Sequence, residues 1–284
     1  MAVRKNQASL APSEKQAFVN AMLKLKNGTP SQMGLSNRYD DYVQMHMDAM
    51  MPGAAYAHGG PAFLPWHREY LRRLELDLQA AANDPSIAIP YWDWTVDRSP
   101  TSTLWQPDLL GGNGRASDAR VITGPFAFNS GQWTIAVTMQ PGGGPDLRRR
   151  LGAVALPLPS TSQVQSALQV VPYDAAPWSM SSRPSFRNRL EGWYGAGNIH
   201  NRVHLWVGGN MASMASPNDP VFWLHHSNID RIWAEWQRQH PTLGYLPTSG
   251  GPQGHNLNDL MRPWGGVTTP ASMLILSALG YSYA

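Results

Sequence analysis

His200 and His204 stand four apart in Asn198-Ile199-His200-Asn201-Arg202-Val203-His204, a spacing that puts both imidazoles on one face of a helix, one turn above the other. Neutral imidazoles so placed form a metal clamp that still lacks a third ligand. The stretch Asn218-Asp219-Pro220-Val221-Phe222-Trp223-Leu224-His225-His226 supplies it from a second helix, with Asn218 and Asp219 as cap candidates and Pro220 at the first helical position. Phe222, Ile229, Trp233 and Trp236 recur there at helical intervals. His226 falls on their stripe, whereas His225 is turned about 100° away. The expected third ligand is therefore His226, with His225 supporting it and Asp230, one turn on, receiving the second ring N–H of His226.

An upstream segment echoes this pattern. Phe63-Leu64-Pro65-Trp66-His67 also places a Phe four residues before a His at the start of a helix, whose face continues through Tyr70, Leu71, Leu74 and Leu78. With His46 and His58 before it, His67 completes a second triplet, so six of the nine histidines fall into two parallel sets. A single buried histidine is more often a satisfied core residue than a ligand, and His-x-x-x-His alone is a weak signal. Six at matched positions on four helices are harder to assign to packing. The remaining two, His240 and His255, are expected at the surface.

Three imidazoles per metal suit Zn, Cu, Fe or Ni. Asn201, not Glu, follows the first clamp histidine, so the zinc-protease pattern is not met. No Asp or Glu cluster alternates with the histidines, which disfavours a carboxylate-bridged di-iron centre. Paired all-nitrogen sites favour copper. If the triplets face each other in a four-helix core, two metals would sit roughly 3.5 to 4 Å apart. A copper(I) pair at that spacing can reduce dioxygen by two electrons and hold the resulting peroxide.

The elements that must position these residues can be read from the remaining sequence. The 284 residues hold 12 Trp and are 42% hydrophobic, enough for a substantial core. One domain over residues 1–284 is expected, because the triplets lie more than a hundred residues apart and neither half is complete alone. With 26 Gly and 24 Pro, long ordered loops should surround a few helices. Helices are predicted from Pro12 to about Lys26, from about Arg38 to Met50–Pro52, from Phe63 to Ala82, near Ser162 to Val170, and from about Pro184 through Trp193. Gly195 and Gly197 precede the clamp helix, and the last long helix stops at Pro241. A loop from Gly53 to Gly60 carries His58, and Pro90-Tyr91-Trp92-Asp93-Trp94 reads as packing beneath the helices. Residues 1–10 look extended, residues 97–180 contain no histidine and should wrap the helices, and the tail from Thr242 reads as loops and edge structure. The fold class is therefore mainly α, with little β structure.

The net charge is +3, and the longest basic run, Arg148-Arg149-Arg150, is expected to be a solvated patch, so no nucleic-acid partner is implied. The absence of cysteine excludes disulfides and thiolate metal sites. No run approaches the ~18 apolar residues of a membrane span, and no apolar signal core follows the N-terminus.

Taken together, Phe63-Leu64-Pro65-Trp66-His67-Arg68, Tyr91-Trp92-Asp93-Trp94, His200-Asn201-Arg202-Val203-His204 and Asn218 through His226 resemble the type 3 copper protein family, and within it the small bacterial tyrosinases of the Streptomyces kind. The resemblance runs from Val3-Arg4-Lys5-Asn6-Gln7 to Arg262-Pro263-Trp264. It implies two copper ions, one on His46, His58 and His67 and one on His200, His204 and His226. It implies dioxygen as co-substrate for ortho-hydroxylation of monophenols and oxidation of o-diphenols to o-quinones. The family's water-orienting pair falls on Glu191 and Asn201. Alternatives within the family are an o-aminophenol oxidase making quinone imines and a catechol oxidase without monophenol activity. A dioxygen carrier ranks below them, since 284 residues leave little room for a covering domain. Copper delivery by a small caddie protein is also implied. With no signal of its own the chain is expected in the cytoplasm, or outside it as the passenger of that caddie.

Overall fold

The structure, a computed structural model, describes residues 1–51, 56–139, 144–194 and 198–284. Pro52, Gly53, Gly195 and Gly197, named in the sequence-based expectations, lie outside them. The described residues form seven α-helices: α1 (Pro12–Asn27), α2 (Arg38–Met50), α3 (Phe63–Ala82), α4 (Thr161–Leu168), α5 (Phe186–Glu191), α6 (His200–Val207) and α7 (Val221–Gln239).

Local chemistry explains where these helices start and stop. Asn37 caps α2 by accepting from the Asp40 N–H at 2.9 Å, and Asp40 and Asp41 complement the positive end of the helix dipole. Ser160 and Gln163 form a reciprocal capping box on α4 (3.3 and 2.9 Å). Asn83 ends α3 in the left-handed conformation. Pro220 immediately precedes α7, and Asp219 accepts from the Val221 N–H at 3.1 Å. Pro65 fits in the first turn of α3, where N–H groups have no helical partner in any case.

Helix α3 packs on α1 and α7, and α6 packs on α5 and α7. The predicted apolar faces are buried: Phe18, Met22 and Leu25 on α1, Tyr70, Leu71, Leu74 and Leu78 on α3, Phe222, Ile229, Trp233 and Trp236 on α7. One connected hydrophobic core includes them, with Trp92 and Trp94 packed beneath the helices as expected. Four helices, α2, α3, α6 and α7, therefore carry their histidines toward a shared centre.

The chain ends meet. Strand β1 (Ala2–Arg4) pairs in parallel with β2 (Tyr281–Tyr283), Ala2 opposite Tyr281. Beneath them sits Asp230, and here the structure corrects the expectation that it serves His226. Its carboxylate accepts from Arg68 (2.5 Å), from Arg4 (3.4 Å) and from the hydroxyls of Tyr281 and Tyr283 (2.6 Å each). Burial alone would raise its pKa, but Arg68, Arg4 and the two hydroxyls hold it below the usual carboxylate value.

The basic run is also corrected. Arg149 is fully buried, makes two 2.7 Å bonds to Asp219 and donates to the carbonyls of Leu110 (2.9 Å) and Gly111 (2.8 Å). It thereby pins the 97–180 elaboration to the start of α7; only Arg150 of the three is exposed. His240 is half-buried and donates from Nε2 to the Leu168 carbonyl (2.8 Å). His255 is buried and its Nδ1 accepts from the Ala62 N–H at 3.2 Å, so it is not a surface residue. No described helix is long and apolar enough to cross a membrane.

Candidate metal centre

His46 lies one turn before the end of α2, His58 in the connection to α3, and His67 one turn into α3; one nitrogen of each lies within 4.8 Å of the others. His200 opens α6, His204 follows one turn later, and His225 and His226 sit in the second turn of α7; these four form a second such group. The groups adjoin, since the rings of His67 and His226 stack at 4.2 Å with planes 11° apart. Phe63 and Phe222, the residues of the echo, interlock the halves: Phe63 packs on His67 and His200 (4.9 Å each), Phe222 on His226 (4.1 Å) and His46 (5.0 Å).

Hydrogen bonds fix the tautomers. Nδ1–H of His46 donates to the Met214 carbonyl (2.7 Å), that of His67 to Phe63 (2.8 Å), that of His204 to Met211 (2.8 Å), and that of His200 to the side-chain oxygen of Asn201 (2.9 Å). Each acceptor can only accept, so Nε2 of all four rings carries a lone pair. The Nε2 atoms of His46 and His67 are buried and have no hydrogen-bond partner among the described residues. In the second group, Nε2 of His226 lies 3.3 Å from that of His200 and 3.4 Å from that of His204. A single N–H on His226 could satisfy one of those lone pairs, whereas a cation would satisfy all three. Metal–nitrogen bonds of about 2.0–2.1 Å at tetrahedral angles place ligand nitrogens about 3.3 Å apart, so the donor set fits a resident metal.

His225 differs from its neighbour. Trp94 donates its indole N–H to Nδ1 of His225 (3.2 Å), which places the proton on Nε2 and occupies the ring's lone pair. The ring lies parallel to His200 at 5.1 Å, a supporting position. His226 Nδ1 is buried without a partner among the described residues, as Asp230 is engaged elsewhere.

Burial pushes all seven of these imidazoles below their ordinary pKa, His46 to about 3 and His204 to about 4, and neighbouring rings push several further. The bonds from His46 and His204 to carbonyls oppose the shift. All are neutral at pH 7, the ligand form. The sign of the stability effect follows: below about 6.5 the unfolded chain takes up protons that the folded chain refuses, each such histidine removing up to about 1.4 kcal/mol per pH unit until its folded pKa is reached. The Tm of the copper-free protein should fall steeply between pH 6.5 and 4.5 and be insensitive to these groups above pH 7.5. A flat Tm across the acid range would contradict the burial of neutral imidazoles.

A cavity of about 1090 Å³ opens over the centre, with His46, His58, His200 and His204 in its wall. Trp193 and Leu205, 45% and 47% exposed, stand at its mouth. Asn201 also lines it. Glu191 lies behind the wall, fully buried, accepting from the Gly59 N–H (2.6 Å), next to His58, and from Arg187 (3.0 Å), which is itself paired with Asp174 (2.7 Å). Burial raises the pKa of Glu191 above the usual value, against the opposing pull of Arg187, the Gly59 N–H and Trp193. Gly192, at φ 110°, lets α5 pass close to Asn201, since a Cβ there would stand 3.2 Å from the Asn201 Cβ.

The structure thus brings all six expected ligands together and puts Glu191 and Asn201 beside them. Sequence reasoning missed the carbonyls of Met211 and Met214 and the Trp94–His225 bond. Carbonyls carry no residue signature, and Trp94 lies 131 positions from His225.

A mainly helical core that faces two imidazole triplets across interlocked phenylalanines defines a dinuclear metal protein. Residues 36–239 match the family described as the common central domain of tyrosinase. The chain is 50% identical to tyrosinase from Streptomyces glaucescens over 278 residues, 96% of each chain, and 38% identical to grixazone synthase from Streptomyces griseus, again 96% of each. A polyphenol oxidase (mutant G292N) from Thermothelomyces thermophila shares the fold at TM-score 0.76 and 25% identity, over 100% of this chain and 89% of that one. The chain belongs to the tyrosinase family, a family of dinuclear copper enzymes.

Proposed function

We propose that the protein oxidises phenols with dioxygen, converting a monophenol to the o-quinone with one water released and an o-diphenol to the same quinone. The observation that carries this reading is the convergence of two imidazole triplets, free of carboxylates, at an open cavity whose wall includes His46 and His58 of one triplet and His200 and His204 of the other. One copper is assigned to His46, His58 and His67, the other to His200, His204 and His226. When bound, the copper pair supplies the electrons that reduce dioxygen.

The remaining steps belong to the protein. The carbonyls of Met214, Phe63 and Met211 and the amide of Asn201 hold the imidazoles in the tautomer that points Nε2 inward. Leu205 and Trp193 give the mouth an apolar surface for an aromatic ring. Glu191 and Asn201 are assigned to the phenol proton: Asn201 orients a water, and Glu191, its basicity raised by burial, draws the proton to that water. Delivery of copper by a separate caddie protein is part of the same reading and rests on the resemblance alone.

The test is to load the protein with copper and compare a monophenol without added diphenol, a catechol and an o-aminophenol. Monophenol turnover is expected; activity on the catechol alone would demote the enzyme to a catechol oxidase, and a preference for the aminophenol would favour the quinone-imine alternative. Glu191→Gln and Asn201→Asp should slow monophenol oxidation by roughly 10²-fold while affecting diphenol oxidation much less. Equal losses on both substrates would remove the proton-handling role.

A further inference from the structure

We infer that Arg148 is the anchor for an acidic group on the substrate, making this cavity selective for phenols that carry a carboxylate at the end remote from the hydroxyl. The inference rests on the phenol-oxidase reading of the same cavity.

Arg148 lines the cavity together with His46, His58, His200 and His204. Its backbone is locked to the turn that follows the clamp helix: the Arg148 N–H donates to the side-chain oxygen of Asn210 (2.7 Å), and the Asn210 N–H donates to the Arg148 carbonyl (3.0 Å). Gly209, at φ 54°, permits that approach, because a Cβ there would fall 2.0 Å from the Arg148 carbonyl oxygen. On its other side the segment bridges to Arg120. The position of the Arg148 Cα relative to His200 and His204 is thus fixed by backbone pairing, the kind of rigid support that a recognition residue needs.

The guanidinium itself has no acid. Its Nε is buried without a partner, and among the described residues no carboxylate pairs with it. Asp146 is the only carboxylate among the described lining residues, and it faces Arg120 at 3.2 Å. The two neighbouring arginines are accounted for differently, Arg149 in the buried pair with Asp219 and Arg150 exposed. The guanidinium lies across Gly144, where a Cβ would come within 2.8 Å of Nη2, so the glycine leaves room for the side chain to lie along the wall. A half-buried arginine with an unsatisfied donor, in a cavity whose deep end is neutral imidazole and whose mouth is apolar, matches one ligand chemistry. That ligand is an aromatic ring inward and an anion outward, held by the paired N–H geometry that arginine offers a carboxylate.

The experiment uses copper-loaded protein and two catechols that differ only in charge, 3-(3,4-dihydroxyphenyl)propanoate and its methyl ester. Wild type is expected to show a KM about tenfold or more lower for the acid. Arg148→Gln should remove that difference by raising the KM of the acid, leaving kcat and the KM of the ester in place, and Arg148→Lys should keep part of it. Because the Arg148 side chain makes no ion pair among the described residues and its buried Nε has no partner there, the Gln variant should keep its copper content and Tm. Calorimetric binding of 3-(4-hydroxyphenyl)propanoate and its methyl ester to copper-loaded protein in the absence of dioxygen gives a readout independent of turnover. If wild type oxidises neither catechol but binds the acid more tightly in an Arg148-dependent way, the anchor stands and the oxidase reading falls. If both catechols are oxidised and the acid-to-ester ratio is the same in wild type and Arg148→Gln, the oxidase reading stands and the anchor is overturned.

Discussion

His226→Ala should lose one of two bound coppers and nearly all oxidase activity, whereas His225→Ala should keep both coppers. The two residues are adjacent, equally buried, and both within reach of the metal group. What separates them is the direction of their lone pairs. His226 Nε2 faces the Nε2 atoms of His200 and His204 at 3.3 and 3.4 Å, while His225 spends its lone pair on the indole N–H of Trp94. Removing His225 frees that indole and unstacks His200, so a loss of affinity of about 10–100-fold is expected, the usual effect of an outer partner. Removing His226 deletes a ligand, and the effect must be larger. Copper per chain by elemental analysis and phenol-oxidase rates check both variants; equal copper loss would show that the two rings share one role.

Asp230→Ala is the second large effect, and it acts on stability. The change leaves Arg68 and Arg4 facing each other's charge in a buried site and strips two tyrosine hydroxyls of their acceptor. Breaking a buried ion pair in this way costs about 3–5 kcal/mol. Against a total stability of about 5–15 kcal/mol, that is enough to lower the Tm sharply and to loosen the pairing of β1 with β2. Arg4 also bonds Glu75 (2.9 Å), so part of the hub survives. Urea unfolding of the copper-free protein measures the loss. The folded fraction should bind copper normally, because the Asp230 carboxylate bonds to arginines and tyrosines and not to His226; weakened copper binding at unchanged stability would mean that Asp230 does serve His226.

The contrast between these two residues shows what the sequence makes legible. The clamp and its echo could be read because their spacing is local: His200 with His204, Phe63 with His67 and Phe222 with His226 each lie about one helical turn apart, and the helix period converts that spacing into geometry. The helices were legible for the same reason, two of their starts marked by Pro12 and Pro220. Asp230 and Arg149 were misread because their partners are remote. Arg4 lies 226 positions from Asp230, and Asp219 lies 70 from Arg149. A charged residue in sequence reads as solvated until tertiary structure supplies its counter-charge, and no local period announces that counter-charge. His255 was misplaced likewise, since its partner Ala62 is 193 positions away and donates a backbone N–H.

The most direct test of the dinuclear assignment is a crystal of the copper-loaded protein with anomalous scattering measured at the copper edge. The account predicts two peaks, one enclosed by His46, His58 and His67 and the other by His200, His204 and His226. A single peak, or a metal held by a carboxylate or by His225 in place of His226, would contradict it.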